Sequence, residues 1–398
     1  MKILHTVQSY LPLRHGMSEV VSRLSEYLVQ FGHEVTVATS HTDQRTDNII
    51  NGVQIVPFKL SGNVVWGLEG ESEKYKNFLL NSNYDIITNF AAQQWATDLT
   101  LPLLTKLKAK KVFVPTGFSA LYYETFQTYF EEMKEYMKNY DMNIFLSNNY
   151  QDINFAKEND VQNRAFIPNG ASEKEFLVDT PNEIRSFLNI PKSNYLVLHV
   201  GNFTGFKGQF ESISIFQKSG LYYSTLLLIG GYSNDGEKKI WKRCCEIADN
   251  YNKSWNSLLT QRKIKIVTLS RPEVVLAFKT ADLFLFPSFI ECSPIVLFES
   301  MASKTPFLST SAGNASEILE WSGQSGKILP SIQDESNYLH ADIEQGALML
   351  TEMYHQKNHF REQSQNAFKI WKESFTWHNI AQQYEELYLQ LLQKPKLK

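Results

Sequence analysis

The sequence predicts an α/β protein made of two doubly wound, Rossmann-like domains. Three observations carry that prediction. A strand–loop–helix–strand unit opens the chain, with strands expected over 2–7 and 33–39 and a helix over 16–31. The same pattern restarts with a strand at 195–201. Between them, Ile167-Pro168-Asn169-Gly170 is a turn by its chemistry. The expected division is 1–170, 171–374 and a terminal segment 375–398.

Bulk composition agrees and removes several function classes. A length of 398 residues suits two or three domains. Hydrophobic content of 43% and charged content of 20% are ordinary for a chain with real cores. A net charge of −3 leaves no global footprint for nucleic acid. Three cysteines, Cys244, Cys245 and Cys292, make no disulfide framework and fit a reducing compartment. Arg14, His15 and Glu19 interrupt the first apolar run, so no secretory signal is expected. No window reaches the roughly 18 apolar residues of a spanning helix. The reading is a cytoplasmic protein, with contact at a membrane surface left open.

The elements follow in order. In the first helix Val20, Val21, Leu24, Tyr27, Leu28 and Phe31 share one face, and Gly32 ends it. Strands are expected at 52–58, 84–88, 112–115, 142–147 and 164–168, with helices at 71–80, 91–107 and up to about 158. Lys106, Lys108, Lys110 and Lys111 read as a solvated face. The aromatic run 119–140 reads as a core stripe, with a sugar-stacking platform as the other reading. In the second half, strands are expected at 225–229, 264–269 and 282–287, with a last one at 326–330. Helices are expected at 235–250, 272–280, about 340–373 and 380–392.

Residues 282–321 carry the most chemistry. A buried strand closes at Pro287, and Ser293 and Pro294 suit an N-cap and a first helical position. The amides of Ile295 and Val296 would then point out of a helix end that attracts anions. Glu291 precedes that end and Glu299 lies eight residues on. Amides and carboxylates together suit a ligand with phosphates and hydroxyls.

The pattern Pro287-Ser288-x-x-Glu291-x7-Glu299, followed by SMASKTPFLST and GNASE, resembles the donor-site signature of retaining GT-B glycosyltransferases of family 4. The resemblance spans nearly the whole chain, strongest over 164–320 and 375–388 and weakest over 40–110. It implies a GT-B fold whose terminal helix returns to the first domain. It also implies transfer of a sugar from a nucleotide-sugar donor to a hydroxyl of a glycan or lipid-linked acceptor, in surface or extracellular polysaccharide assembly. By resemblance Glu291 meets the donor sugar and Glu299 the ribose. Lys207, in Gly201-Asn202-x4-Lys207-Gly208, matches the lysine that grips the donor diphosphate. Glu291 and Lys207 are therefore the catalytic candidates, and Ser293, Ile295 and Val296 complete the donor side.

Two positions depart from the family pattern, and one motif is kept only in part. Asn202 stands where relatives carry Arg, and Arg271 is the candidate replacement cation. Thr116 stands where many relatives carry His, on the acceptor side, and a hydroxyl is no general base near neutral pH. Gly16 is the one glycine kept of a P-x-x-G-G turn, and an ordinary strand–helix turn explains it equally well. No cofactor is expected, nor a metal, since no HExxH or paired-Cys spacing occurs. Asn202 and Thr116 sustain one alternative, a non-catalytic sugar-nucleotide-binding or assembly partner of the same fold.

Overall fold

The computed structural model describes residues 1–13, 15–179 and 184–393. It forms two units, Met1–Asn169 with the chain from Trp377 onward, and Gly170–Thr376.

Among the described residues the first unit holds ten strands. They are β1 (Lys2–Thr6), β2 (Glu34–Ser40), β3 (Ile49–Ile50), β4 (Val53–Phe58), β5 (Leu60–Asn63), β6 (Gly67–Gly70), β7 (Ile86–Phe90), β8 (Lys110–Val114), β9 (Met142–Phe145) and β10 (Arg164–Phe166). Eight make one sheet in the order β10-β9-β8-β7-β1-β2-β4-β3. Its pairs are parallel except for β3 on β4. Chain order reverses between β1 and β7. The helix Trp377–Gln393 buries Trp377, Ile380, Ala381, Tyr384, Tyr388 and Leu391 in this unit. Its Tyr388 hydroxyl shares a 2.7 Å hydrogen bond with Thr88 Oγ1, and His33 Nε2 lies 2.7 Å from Glu385 Oε1.

The second unit holds β11 (Tyr195–Val200), β12 (Ser224–Ile229), β13 (Arg262–Val267), β14 (Leu283–Phe286), β15 (Phe307–Ser309), β16 (Gly326–Ile328), β17 (Ser331–Gln333) and β18 (Leu339–Ala341). Six form a fully parallel sheet, β13-β12-β11-β14-β15-β16. All of β12 and β14 is buried. Helices cover both faces of such a sheet, which is why these strands read as continuous apolar runs.

Several expectations are corrected. The helix expected over 91–107 is two short pieces, Trp95–Asp98 and the 3-10 turn Leu101–Leu103. Ala91 and Gln93 take φ of +61° and +63°, and Pro102 lacks an N–H a longer helix would need. The strand at 326 is not the last, because β17 and β18 form an antiparallel hairpin after it. The β5–β6 hairpin also escaped the sequence reading. Lys110 and Lys111 are not on a solvated face; both pair with Asp141, each at 3.2 Å. The aromatic run is mostly core: Phe126, Tyr129, Phe130 and Tyr140 are buried, while Tyr122 and Tyr123 are exposed.

Because Tyr388 is fully buried, Tyr388→Ala should destabilise the first unit by about 3–5 kcal/mol, the cost of an emptied aromatic site. Tyr388→Phe keeps the ring and should cost about 1 kcal/mol. Urea unfolding measures both, and equal losses would contradict packing as the larger contribution.

Candidate active site

In the second unit chain order reverses between β11 and β14, which pair through Val197↔Leu283 and Leu198↔Phe284. The loops 201–208 and 287–294 leave the carboxyl ends of these neighbouring strands, where open α/β sheets bind ligands. Gly208 brings the loops together. Its φ is +74°, and a Cβ there would stand 2.0 Å from the Pro287 carbonyl oxygen. Phe289 N donates to Phe206 O at 2.8 Å. Ser288 Oγ lies 3.0 Å from Phe206 O and 2.8 Å from Glu291 Oε1, and its single proton serves one of them.

This closure sets the main ion pair. Lys207 Nζ donates to Glu291 Oε1 at 2.6 Å, with side chains 29% and 13% exposed. The pair is therefore partly withdrawn from water yet reachable by a ligand. Gly313 supports the loop from below: at φ +65° its Cα nestles where a Cβ would stand 2.4 Å from Cys292 O. Asn314 N donates to the same carbonyl at 3.0 Å.

The helix that follows is Ile295–Ala302. Its N-cap is Pro294, in an extended conformation, and no side chain caps it. Ser293 is thus not the N-cap, and Pro294 is not the first helical residue. Pro294 itself is extended, with ψ of +109°, so the helix begins one residue later. The amides of Ile295 and Val296 still occupy the first two helical positions, which have no acceptor within a helix.

Glu299, on the same helix, is buried. Arg271 holds it, with Nη2 2.5 Å from Glu299 Oε1. The same guanidinium reaches Glu175 Oε2 through Nε at 3.1 Å and Nη2 at 2.6 Å. Burial pulls the Arg271 pKa down, but Glu299 and Glu175 outweigh it and raise the pKa above its ordinary value. Arg271 is therefore not a spare cation replacing the one missing at Asn202. Its charge is committed to two carboxylates, and it fixes Glu299. Asn202 holds backbone instead. Its Oδ1 accepts from Gly231 N at 3.1 Å, tying together the loops after β11 and β12.

Sequence reasoning missed several of these groups. Glu175 lies outside every motif and meets the site through the fold. Gln209 donates to the carbonyls of Gly201 and Asn202 at 3.0 and 2.9 Å, shaping the lysine loop. The β17–β18 hairpin lays Tyr338 against Phe206 and His340 against Phe289, with ring centroids 5.1 and 4.7 Å apart. No residue pattern in 331–341 announced that contact. Among the described residues no three His, Cys, Asp or Glu gather as a metal site.

The first unit holds the remaining candidates. Gly16 begins the helix Gly16–Gln30, N-capped by His15, and a Cβ at Gly16 would meet nothing within 4 Å. Arg14 lies outside the described residues. Thr116, Gly117 and Phe118 follow β8 with φ of +60°, +101° and +52°. A β-branched residue in that region is strained, so the neighbours must hold it. Asp152 does so from beneath, accepting from Gly117 N at 2.8 Å, and Gln151 donates to Phe118 O at 2.8 Å. Burial raises the Asp152 carboxyl to about 6, against its hydrogen bonds.

That shift has a defined sign. A raised folded-state pKa means the folded protein binds the proton more tightly. The stability it confers is present at acid pH and is lost as pH rises from about 4 to about 6. Asp152→Asn cannot ionise, so its stability relative to the native protein should rise with pH across that window. Denaturation at several pH values measures it, and a pH-independent difference would contradict the assignment.

Comparison with known proteins bears on the second unit first. Residues 181–336 match the family "Glycosyl transferases group 1". The chain is 24% identical over 339 residues to an uncharacterized glycosyltransferase of Methanocaldococcus jannaschii, covering 80% of this chain and 83% of that one. Among solved structures, sucrose-phosphate synthase from Thermosynechococcus elongatus superposes with a TM-score of 0.76 at 19% identity, covering 98% of both chains. Anabaena HepE in complex with UDP and glucose superposes with a TM-score of 0.74 at 17% identity, covering 98% of this chain and 100% of that one. Residues 181–336, the segment that carries Lys207, Glu291 and Glu299, thus match the group 1 glycosyltransferases, and the chain as a whole shares the GT-B fold of these solved structures.

Proposed function

We propose that the protein transfers a sugar, with retention, from a nucleotide-sugar donor to a hydroxyl of a glycan or lipid-linked acceptor. The observation that carries this is the Lys207–Glu291 pair at the β11/β14 reversal, within the group 1 glycosyltransferase match. HepE structures with UDP and UDP-glucose, and WaaG in lipopolysaccharide biosynthesis, support a nucleotide-sugar donor and a role in surface polysaccharide assembly.

In this reading the diphosphate displaces Glu291 from Lys207. The ammonium then neutralises the charge that develops on the departing nucleoside diphosphate. The Ile295 and Val296 amides add hydrogen bonds to phosphate oxygens, the electrostatic work a metal does elsewhere. Glu291, released, accepts from a donor-sugar hydroxyl and remains steered by Ser288. Glu299, held by Arg271, accepts from the ribose. By resemblance Thr116, at the first unit's strained turn, belongs to the acceptor side and contributes a hydroxyl rather than a base. The donor phosphate takes the acceptor's proton on the face from which it departs. The protein works in the cytoplasm in this reading, with acceptors reached at a membrane surface; among the described residues no helix is long and apolar enough to cross a membrane.

Turnover separates this from a non-catalytic sugar-nucleotide-binding partner. A panel of nucleotide sugars should contain one that raises the melting midpoint by mass action. With that donor, Lys207→Ala and Glu291→Ala should each lower kcat/KM by about 10²-fold or more, with the melting midpoint of the unliganded protein preserved. Full activity in both variants overturns the site assignment.

A further inference from the structure

A second concavity lies at the opposite ends of the same two central strands. It has a volume of about 510 Å³, and among the described residues Arg185, Lys192, Lys357 and Arg361 line it with a single carboxylate, Asp282. Asp282 precedes β14, just as Pro287 follows it. The six residues of β11 separate this cavity from the lysine loop by roughly 20 Å.

Asp282 is already engaged within the fold. Its Oδ2 accepts from Arg185 Nη2 at 3.1 Å and from Leu196 N at 2.9 Å, and Oδ1 lies 3.6 Å from Arg361. Arg185 is spent on this carboxylate and on carbonyls such as that of Asn194, 2.8 Å away. Arg361 keeps most of its donors, with its side chain 68% exposed. Lys192 and Lys357 have no carboxylate partner among the described residues, and Lys357 stands over the Tyr354 ring, 5.8 Å from its centroid. The cavity is thus a concave surface with surplus positive charge, a shape that concentrates field on an anion.

We propose that this cavity binds a phosphate monoester carried on a sugar or a nucleoside, at a site separate from the one that faces Glu291. Guanidinium and ammonium groups together suit phosphate oxygens. The volume far exceeds a bare phosphate and falls in the range of small-molecule sites. Tyr223, 57% exposed on the cavity wall, offers a flat ring to a sugar face or a base.

Calorimetry on the full chain tests this, using glucose 6-phosphate, AMP and inorganic phosphate as probes. The background variant is Lys207→Ala, which weakens anion binding at the other end of the sheet. One of the two esters should bind at about one per chain, at least tenfold tighter than inorganic phosphate, and the tighter ester identifies the carrier. Adding Lys357→Glu with Arg361→Glu should weaken that ester at least tenfold. If the double variant lowers the melting midpoint, Lys192→Glu, on an exposed residue, carries the same test. Absence of ester binding in the Lys207→Ala background, affinity equal to that of bare phosphate, or affinity unchanged by charge reversal would each overturn the proposal.

Discussion

The close approach of Gly208 to the Pro287 carbonyl is the constraint on which the candidate site depends. Two loops can meet at a sheet's reversal point only if one backbone gives way to the other. The left-handed glycine does this, because any Cβ would overlap the carbonyl oxygen. Once the loops touch, Phe206 O accepts from Phe289 N in the second loop, and Lys207 has little choice but to meet Glu291. The chemistry is therefore a consequence of how closely two strand ends can be bridged.

The charges are arranged in the same economical way. Lys207 and Arg271 face three carboxylates: Glu291, Glu299 and Glu175. Without ligand, each cation is already engaged. The two pairs differ in kind. Arg271 is clamped by two partners and keeps Glu299 in one orientation, whereas Lys207 holds one carboxylate that a diphosphate can replace. A site of this sort has one fixed carboxylate and one exchangeable one, which suits a ligand with hydroxyls at one end and a leaving group in the middle.

Much of this was legible in the sequence, for physical reasons. Parallel strands buried on both faces read as apolar runs, so β11, β12 and β14 announced themselves. Lys207 and Glu291 sit in loops and Glu299 in the second turn of a short helix, with distinctive spacing, and the resemblance they carry agrees with the group 1 match. What failed depended on tertiary context. The left-handed Ala91 and Gln93 broke an apparent helix. A proline that looked like a first helical residue became the cap. Arg271 looked free until Glu175, far away in sequence, was seen beside it. The β17–β18 hairpin contacts the site through aromatic faces, and its strands are too short to show periodicity.

The claim that Lys207 is exchanged between Glu291 and the donor diphosphate is tested most directly by nucleoside diphosphate affinity. Calorimetry would compare the native protein with Glu291→Gln and Lys207→Gln, using whichever nucleoside diphosphate the native protein binds. Removing the competing carboxylate should tighten binding several-fold in Glu291→Gln, and removing the cation should weaken it in Lys207→Gln. Affinities that are the same in all three proteins would contradict the exchange and move the diphosphate away from this pair.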